Sequence, residues 1–249
     1  MVVTGGGGGI GGALCRRFAA EGAERVVVSD IDQRAAESVA AEIGGTAVRA
    51  DVTVESDVAR LVRETVAAHG RIDLYCSNAG IAFGGGPEAS DQAWRQSWDV
   101  HVMAHVYAAR ALLPGMRARG DGYIMGTISA AALLNHILSA PYAVTKAAGL
   151  SFFEWMAIAY HDEGIRVSAL CPQGVRTAML AQEGERNFLT AGALEPEQVA
   201  DTVVEAIRDE RFLILPHPEV GEFFQRKAAD YDRWLRGMRR LRARIQKER

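Results

Sequence analysis

The chain has 249 residues, 49% hydrophobic and 24% charged, with a formal net charge of −3, which suits one α/β unit burying most of its apolar surface and excludes the broad basic field of a nucleic-acid binder. Its three cysteines, Cys15, Cys76 and Cys171, have neither CxxC nor His/Cys ligand spacing, so neither a disulfide framework nor a metal site is expected, and a reducing cytoplasm is. No run of about 18 uncharged apolar residues occurs, so no membrane span is expected and a small metabolite is the expected partner.

Short β-branched runs alternate with longer helix-period segments, the pattern of βαβ units on a parallel sheet. Strands are expected at 1–4, 25–29, 47–50, 72–76, 122–127, 166–170 and 212–215, and helices near 10–22, 32–43, 55–69, 91–119, 142–163 and 196–209. Most of the strand runs are apolar throughout, as strands covered by helices on both faces must be. The expectation is a doubly wound Rossmann sheet forming a single domain over 1–215, followed by a basic, amphipathic helical extension over 216–249. Only Met1, Val2 and Val3 precede the glycine loop, fewer than the roughly five residues of a central strand, and a natural start several residues upstream is expected.

The glycine run Gly5–Gly9 carries the first chemistry, because backbone approaches a pyrophosphate closely only where Cβ is missing, and the following helix offers free N–H donors. By spacing alone, GxGxxG fits Gly6, Gly8 and Gly11 as well as Gly7, Gly9 and Gly12. Asp30 ends the second strand about 20 residues on, where its carboxylate can accept ribose hydroxyls or serve as a turn or cap residue. As a ribose acceptor it would repel a 2′-phosphate, and neither Gly8 nor Ile31 supplies a cation, so NAD is expected over NADP. Tyr142 and Lys146 stand four apart on one helix face. An adjacent ammonium favours a phenolate, and such a tyrosine can exchange a proton with a substrate oxygen. Alone, that pair is as common on surface helices.

Taken in order, these segments resemble a short-chain dehydrogenase/reductase. Thr4-Gly5-x-x-x-Gly9-Ile10-Gly11 is similar to that family's TGxxxGxG loop, which sets the glycine register. Asp51-Val52 resembles its adenine-contacting pair, and Ser77-Asn78-Ala79-Gly80 its NNAG turn supporting the cofactor. Ser129, thirteen residues before Tyr142, stands where the family has a substrate-orienting serine. Cys171-Pro172-Gln173-Gly174-Val175-Arg176-Thr177 resembles its PGxVxT loop, in which Val175 and Thr177 would hold the nicotinamide carboxamide. The resemblance implies hydride transfer between an alcohol and NAD, with Tyr142 as base, Ser129 holding the substrate oxygen, and Lys146 binding the nicotinamide ribose and lowering the tyrosine pKa. It also implies a homodimer or homotetramer packed through the helices near 91–119 and 142–163.

Two positions depart from the family pattern. His101 replaces an asparagine thought to complete a catalytic tetrad, and reads either as a substitute relay or as a structural helix residue. Gln173 replaces a glycine after Pro172. Leu133, Leu134, Ile137, Leu138, Met179, Leu180 and Phe188 are expected to line a hydrophobic substrate pocket or to be core or interface. Segment 178–194, with Gly184 and Gly192, reads as a lid. From Arg226 to Arg249 ten Lys/Arg face three Asp/Glu, leaving −10 elsewhere. Tyr231, Trp234, Leu235, Met238, Leu241 and Ile245 recur there at helical steps, which fits a docked helix or a surface for an anionic membrane or acidic partner. The alternatives to an alcohol dehydrogenase are an NAD-binding regulatory protein with little turnover and an isomerase or dehydratase.

Overall fold

The computed structural model describes residues 1–182 and 189–248. In chain order, β1 (Val2–Thr4) leads to α1 (Gly9–Ala20), β2 (Val27–Asp30), α2 (Gln33–Ile43), β3 (Thr46–Arg49), α3 (Glu55–His69) and β4 (Leu74–Ser77). Then come α4 (Asp91–Trp98), a π turn (Asp99–Met103), α5 (Ala104–Arg119), β5 (Gly122–Thr127), α6 (Ala130–Leu134), α7 (Ala140–Tyr160) and β6 (Ile165–Leu170). The chain finishes with α8 (Ala178–Gln182), α9 (Pro196–Arg208), β7 (Leu213–Ile214), α10 (Glu219–Ala229) and α11 (Tyr231–Glu248).

The strands form one parallel sheet in the order β3-β2-β1-β4-β5-β6-β7. Successive residues of each central strand enter opposite cores. Val2, Val27, Tyr75 and Ile124 pack with Leu61, Leu112, Phe153 and Met156 of α3, α5 and α7. Val3, Val28, Cys76 and Met125 pack with Leu14, Phe18, Val39 and Val203 of α1, α2 and α9. Both faces are therefore apolar, which is why the strand sequences lack alternation. The order reverses between β1 and β4, and the crevice at the carboxyl ends beside that reversal is the ligand position of an open α/β sheet.

Three features differ from the sequence expectation. The helix expected over 91–119 is broken by the π turn, and α6 and α8 are additional. The basic tail is two helices, because the backbone of Asp230 is extended (φ −153°, ψ 91°) between α10 and α11. Among the described residues no helix is long and apolar enough to cross a membrane, and no cluster of three or more His, Cys, Asp or Glu could hold a metal ion.

Candidate active site

A cleft of about 1700 Å3 runs across the carboxyl ends of the strands, larger than the roughly 300–1,000 Å3 of a single small-ligand pocket. Gly5, Gly9, Ile10, Gly11, Asp30, Asp51, Val52, Asn78, Ala79, Ser129, Tyr142, Lys146, Val175 and Thr177 all line it. Residues spread over 170 positions meet there because each follows a strand of the sheet.

The dinucleotide end is built from close backbone packing. A Cβ on Gly11 would lie 2.0 Å from the Gly5 carbonyl oxygen, and Gly5 itself has φ +62°, so neither position accepts a side chain without displacing the loop. No side chain caps α1 at Gly8, which leaves its first N–H donors for a phosphate. Asn78 fastens this loop: its Nδ2 donates to the carbonyls of Thr4 (2.9 Å) and Gly5 (3.3 Å), and its Oδ1 accepts from the Thr127 hydroxyl (2.8 Å). Asp30 accepts from the backbone N–H of Gly7 and of Asp32, both at 3.0 Å, so each oxygen closes a turn, and each keeps a lone pair that a further donor could use. Asp51 similarly accepts from the Thr53 N–H and hydroxyl at 2.9 and 2.7 Å. The residues present thus fit a nicotinamide dinucleotide.

At the other end, Ser129 is the N-cap of α6, its Oγ accepting from the Ala131 N–H at 3.0 Å, which leaves the hydroxyl hydrogen to donate to a ligand. Lys146 is buried, and its ammonium donates to the Thr127 carbonyl at 2.8 Å. Burial pulls its pKa down to about 8. The ammonium sits 5.7 Å from the centre of the Tyr142 ring, which also meets His101 and His136 edge-on at 5.4 and 6.0 Å.

His101 is fully buried in the π turn. Its Nε2 accepts from the Ile81 N–H at 3.3 Å, and its Nδ1 lies 2.9 Å from Thr145 Oγ1, which itself donates to the Pro141 carbonyl at 2.7 Å. Thr145 having spent its hydrogen, the imidazole must donate from Nδ1, so the ring is the neutral Nδ1–H tautomer with both nitrogens engaged. Desolvation first, and then the Lys146 charge, hold its pKa well below 6.5. Gln173 is accommodated as well: its backbone N–H donates to Nδ1 of buried His217 at 3.2 Å, a tie from the loop to the segment after β7 that residue spacing does not reveal.

Of the pocket residues expected from sequence, Leu134, Ile137, Met179 and Leu180 line the cleft. Leu133 instead joins the core beside α7, and Leu138 lies outside the lining while its carbonyl accepts from Gly85. Phe188, Gly184 and the middle of the expected lid lie outside the described residues. The missed wall comes from the tail: Phe223, Trp234, Met238 and Leu241, with Arg226, Arg233 and Arg240. The Lys227 ammonium docks α10 on α6 by donating to the Leu133 carbonyl at 2.5 Å. The apolar stripe was visible in the sequence; the surface it covers was not.

Such a cleft, with glycine loop, carboxylate and Ser–Tyr–Lys group on one parallel sheet, defines a dinucleotide-dependent oxidoreductase class. The short chain dehydrogenase family model matches residues 1–187, and the chain belongs to the short-chain dehydrogenase/reductase family, as an oxidoreductase acting on alcohol groups. It is 40% identical over 201 residues to 2,5-dichloro-2,5-cyclohexadiene-1,4-diol dehydrogenase of Sphingobium indicum, covering 79% of this chain and 78% of that one. It is 36% identical over 234 residues to 1-deoxy-11-beta-hydroxypentalenate dehydrogenase of Streptomyces exfoliatus, covering 88% and 82%. Among solved structures, a short-chain dehydrogenase/reductase from Burkholderia phymatum in complex with NAD superposes with a TM-score of 0.85 at 27% identity, covering 93% of both chains.

Proposed function

We propose that the protein is an NAD-dependent dehydrogenase interconverting a hydrophobic, alicyclic secondary alcohol and its ketone. The observation that carries this reading is the buried Lys146 ammonium, anchored to β5 by Thr127 and held beside the Tyr142 ring in the same cleft as Ser129. When bound, the oxidised nicotinamide supplies the hydride acceptor. Ser129 donates its hydroxyl hydrogen to the carbinol oxygen and fixes it against Tyr142. Tyr142 accepts the carbinol proton, and the Lys146 charge favours the phenolate that does so. With a pKa of about 8, Lys146 is still mostly charged at neutral pH. His101 has no nitrogen free to pass the proton on, so it positions α7 through Thr145 instead.

Asp30 supports NAD over NADP: it lines the cleft together with Ile31, Ala50, Asp51, Val52 and Thr53, none of them cationic. The apolar wall and the two cyclic-alcohol relatives support the substrate class. We place the protein in the cytoplasm, as a homodimer or homotetramer.

The test is NADH formation from a panel of cyclic and other hydrophobic secondary alcohols, with NADP tried in parallel. Turnover with NAD is expected, and Tyr142→Phe should lower it by about 10²–10⁴-fold with NAD still bound. Tight NAD binding without turnover across the panel would leave the regulatory reading standing instead.

A further inference from the structure

We infer that the substrate end of the cleft reads a carboxylate carried by the alcohol, using Arg233 and Arg240 of α11; this rests on the dehydrogenase reading above. Arg233, Trp234, Gly237, Met238, Arg240 and Leu241 line the cleft and follow one another at helical steps, so a single face of α11 closes it. That face alternates two functions. Trp234, Met238 and Leu241 continue the apolar wall, and the two arginines bracket it about 10 Å apart along the helix axis, a span that long guanidinium arms can close around one ligand.

The arginines are not occupied elsewhere. Arg226, the third cleft-lining arginine, pairs with Glu222 at 3.2 Å and lies over the Phe223 ring. Among the described residues Arg233 and Arg240 have no ion pair. Asp232, next to Arg233 in sequence, lies outside the cleft lining; Asp99 and Asp230 lie within it, and Asp230 accepts the Arg233 backbone N–H at 2.9 Å as the cap of α11. Asp30 and Asp51 stand at the opposite, adenosine end. A planar, five-donor fork matches a carboxylate with two parallel hydrogen bonds, which a lysine in its place would not do.

Gly237 is the second observation. It sits between the two arginines in the interior of a helix, where glycine is less favourable than alanine, yet a Cβ there would meet nothing within 4 Å. No packing within the protein requires the glycine. The volume it leaves is on the cleft side, where a ligand would use it.

The probe is calorimetric titration of the NADH-loaded enzyme, which cannot oxidise an alcohol, with 4-hydroxycyclohexanecarboxylate and with its methyl ester. The acid should bind about tenfold more tightly than the ester, the low end for charge-assisted hydrogen bonds at exposed groups. Added salt should shrink that ratio, since exposed charges are screened. The double substitution Arg233→Gln/Arg240→Gln should collapse the ratio, whereas Arg236→Gln/Arg239→Gln, which lie outside the cleft lining beside a separate small cavity, should keep it and so control for folding. Equal affinities, a preference for the ester, no binding of the acid at millimolar concentration, or a preference surviving the Arg233/Arg240 substitutions would each overturn the proposal. Because the readout is binding, the two readings separate. An acid preference without NADH formation from any alcohol sinks the dehydrogenase reading, and turnover of neutral alcohols without an acid preference sinks this one.

Discussion

His101 illustrates how a substitution at a family position is decided by its neighbours. An imidazole invites a role in proton transfer, since its ordinary pKa lies near neutrality. Here the Ile81 N–H and the already committed Thr145 hydroxyl fix one neutral tautomer, and burial removes the charged form. The expected outcome for His101→Asn is turnover within a few-fold of the parent and no change in the pH dependence of kcat below pH 7. A displaced acid limb in that variant would restore the relay role. His101→Leu, by contrast, leaves the Ile81 N–H and the Thr145 oxygen without their partner and should destabilise the fold by about 1–3 kcal/mol, measured by urea denaturation. None of this was legible in sequence, because residues 81 and 145 meet residue 101 only through the fold. Ser129, Tyr142 and Lys146 could be named from the sequence only through the ordered motifs of the family resemblance, since the four-residue pair alone is common on surface helices and α6 lies between Ser129 and Tyr142.

At the scale of elements, strands and helices were readable wherever a single periodicity governed them. Helix α3 has the expected bounds, and β5 likewise, since a glycine start and a covered apolar run leave little choice. The π turn was not readable: Asp99–Met103 continues the helical pattern without a proline or glycine, and its extra residue is revealed only by hydrogen bonding. The tail stripe divided for a related reason. Trp234, Met238, Leu241 and Ile245 turn inward, while Tyr231 and Leu235 face solvent, a rotation that residue spacing alone does not fix. Helix α7 carries the next test. Val144, Trp155 and Ile158 are 51%, 56% and 83% exposed on one of its faces, an apolar surface that the proposed oligomer would cover. Replacing Trp155 and Ile158 with aspartate should shift the protein toward monomers in sedimentation velocity, and an unchanged oligomer would remove α7 from the interface.

For the molecule as a whole, the buried titratable groups set how stability follows pH. His101 and His105 are neutral in the fold, with the His105 pKa lowered to about 3, chiefly by burial, whereas in the unfolded chain both take up protons below about pH 6.5. As pH falls through 6.5 the unfolded state therefore binds more protons than the native one, and each histidine removes stability at a rate approaching about 1.4 kcal/mol per pH unit. Lys146 has the same sign in another window. Its native pKa of about 8 lies below the unfolded 10.5, so stability is gained as pH rises from 8 toward 10.5. The cysteines oppose it: burial raises Cys15 and Cys171 to about 12 and also lifts Cys76, so above pH 9 the unfolded chain loses thiol protons that the fold retains. Three thiols outweigh one lysine in that range. Chemical denaturation under reducing conditions should accordingly find greatest stability between about pH 7 and 9, falling on both sides. His105→Gln should flatten the limb between pH 6 and 5 by about 1 kcal/mol per unit; a limb of unchanged slope would show that the buried histidines do not govern it.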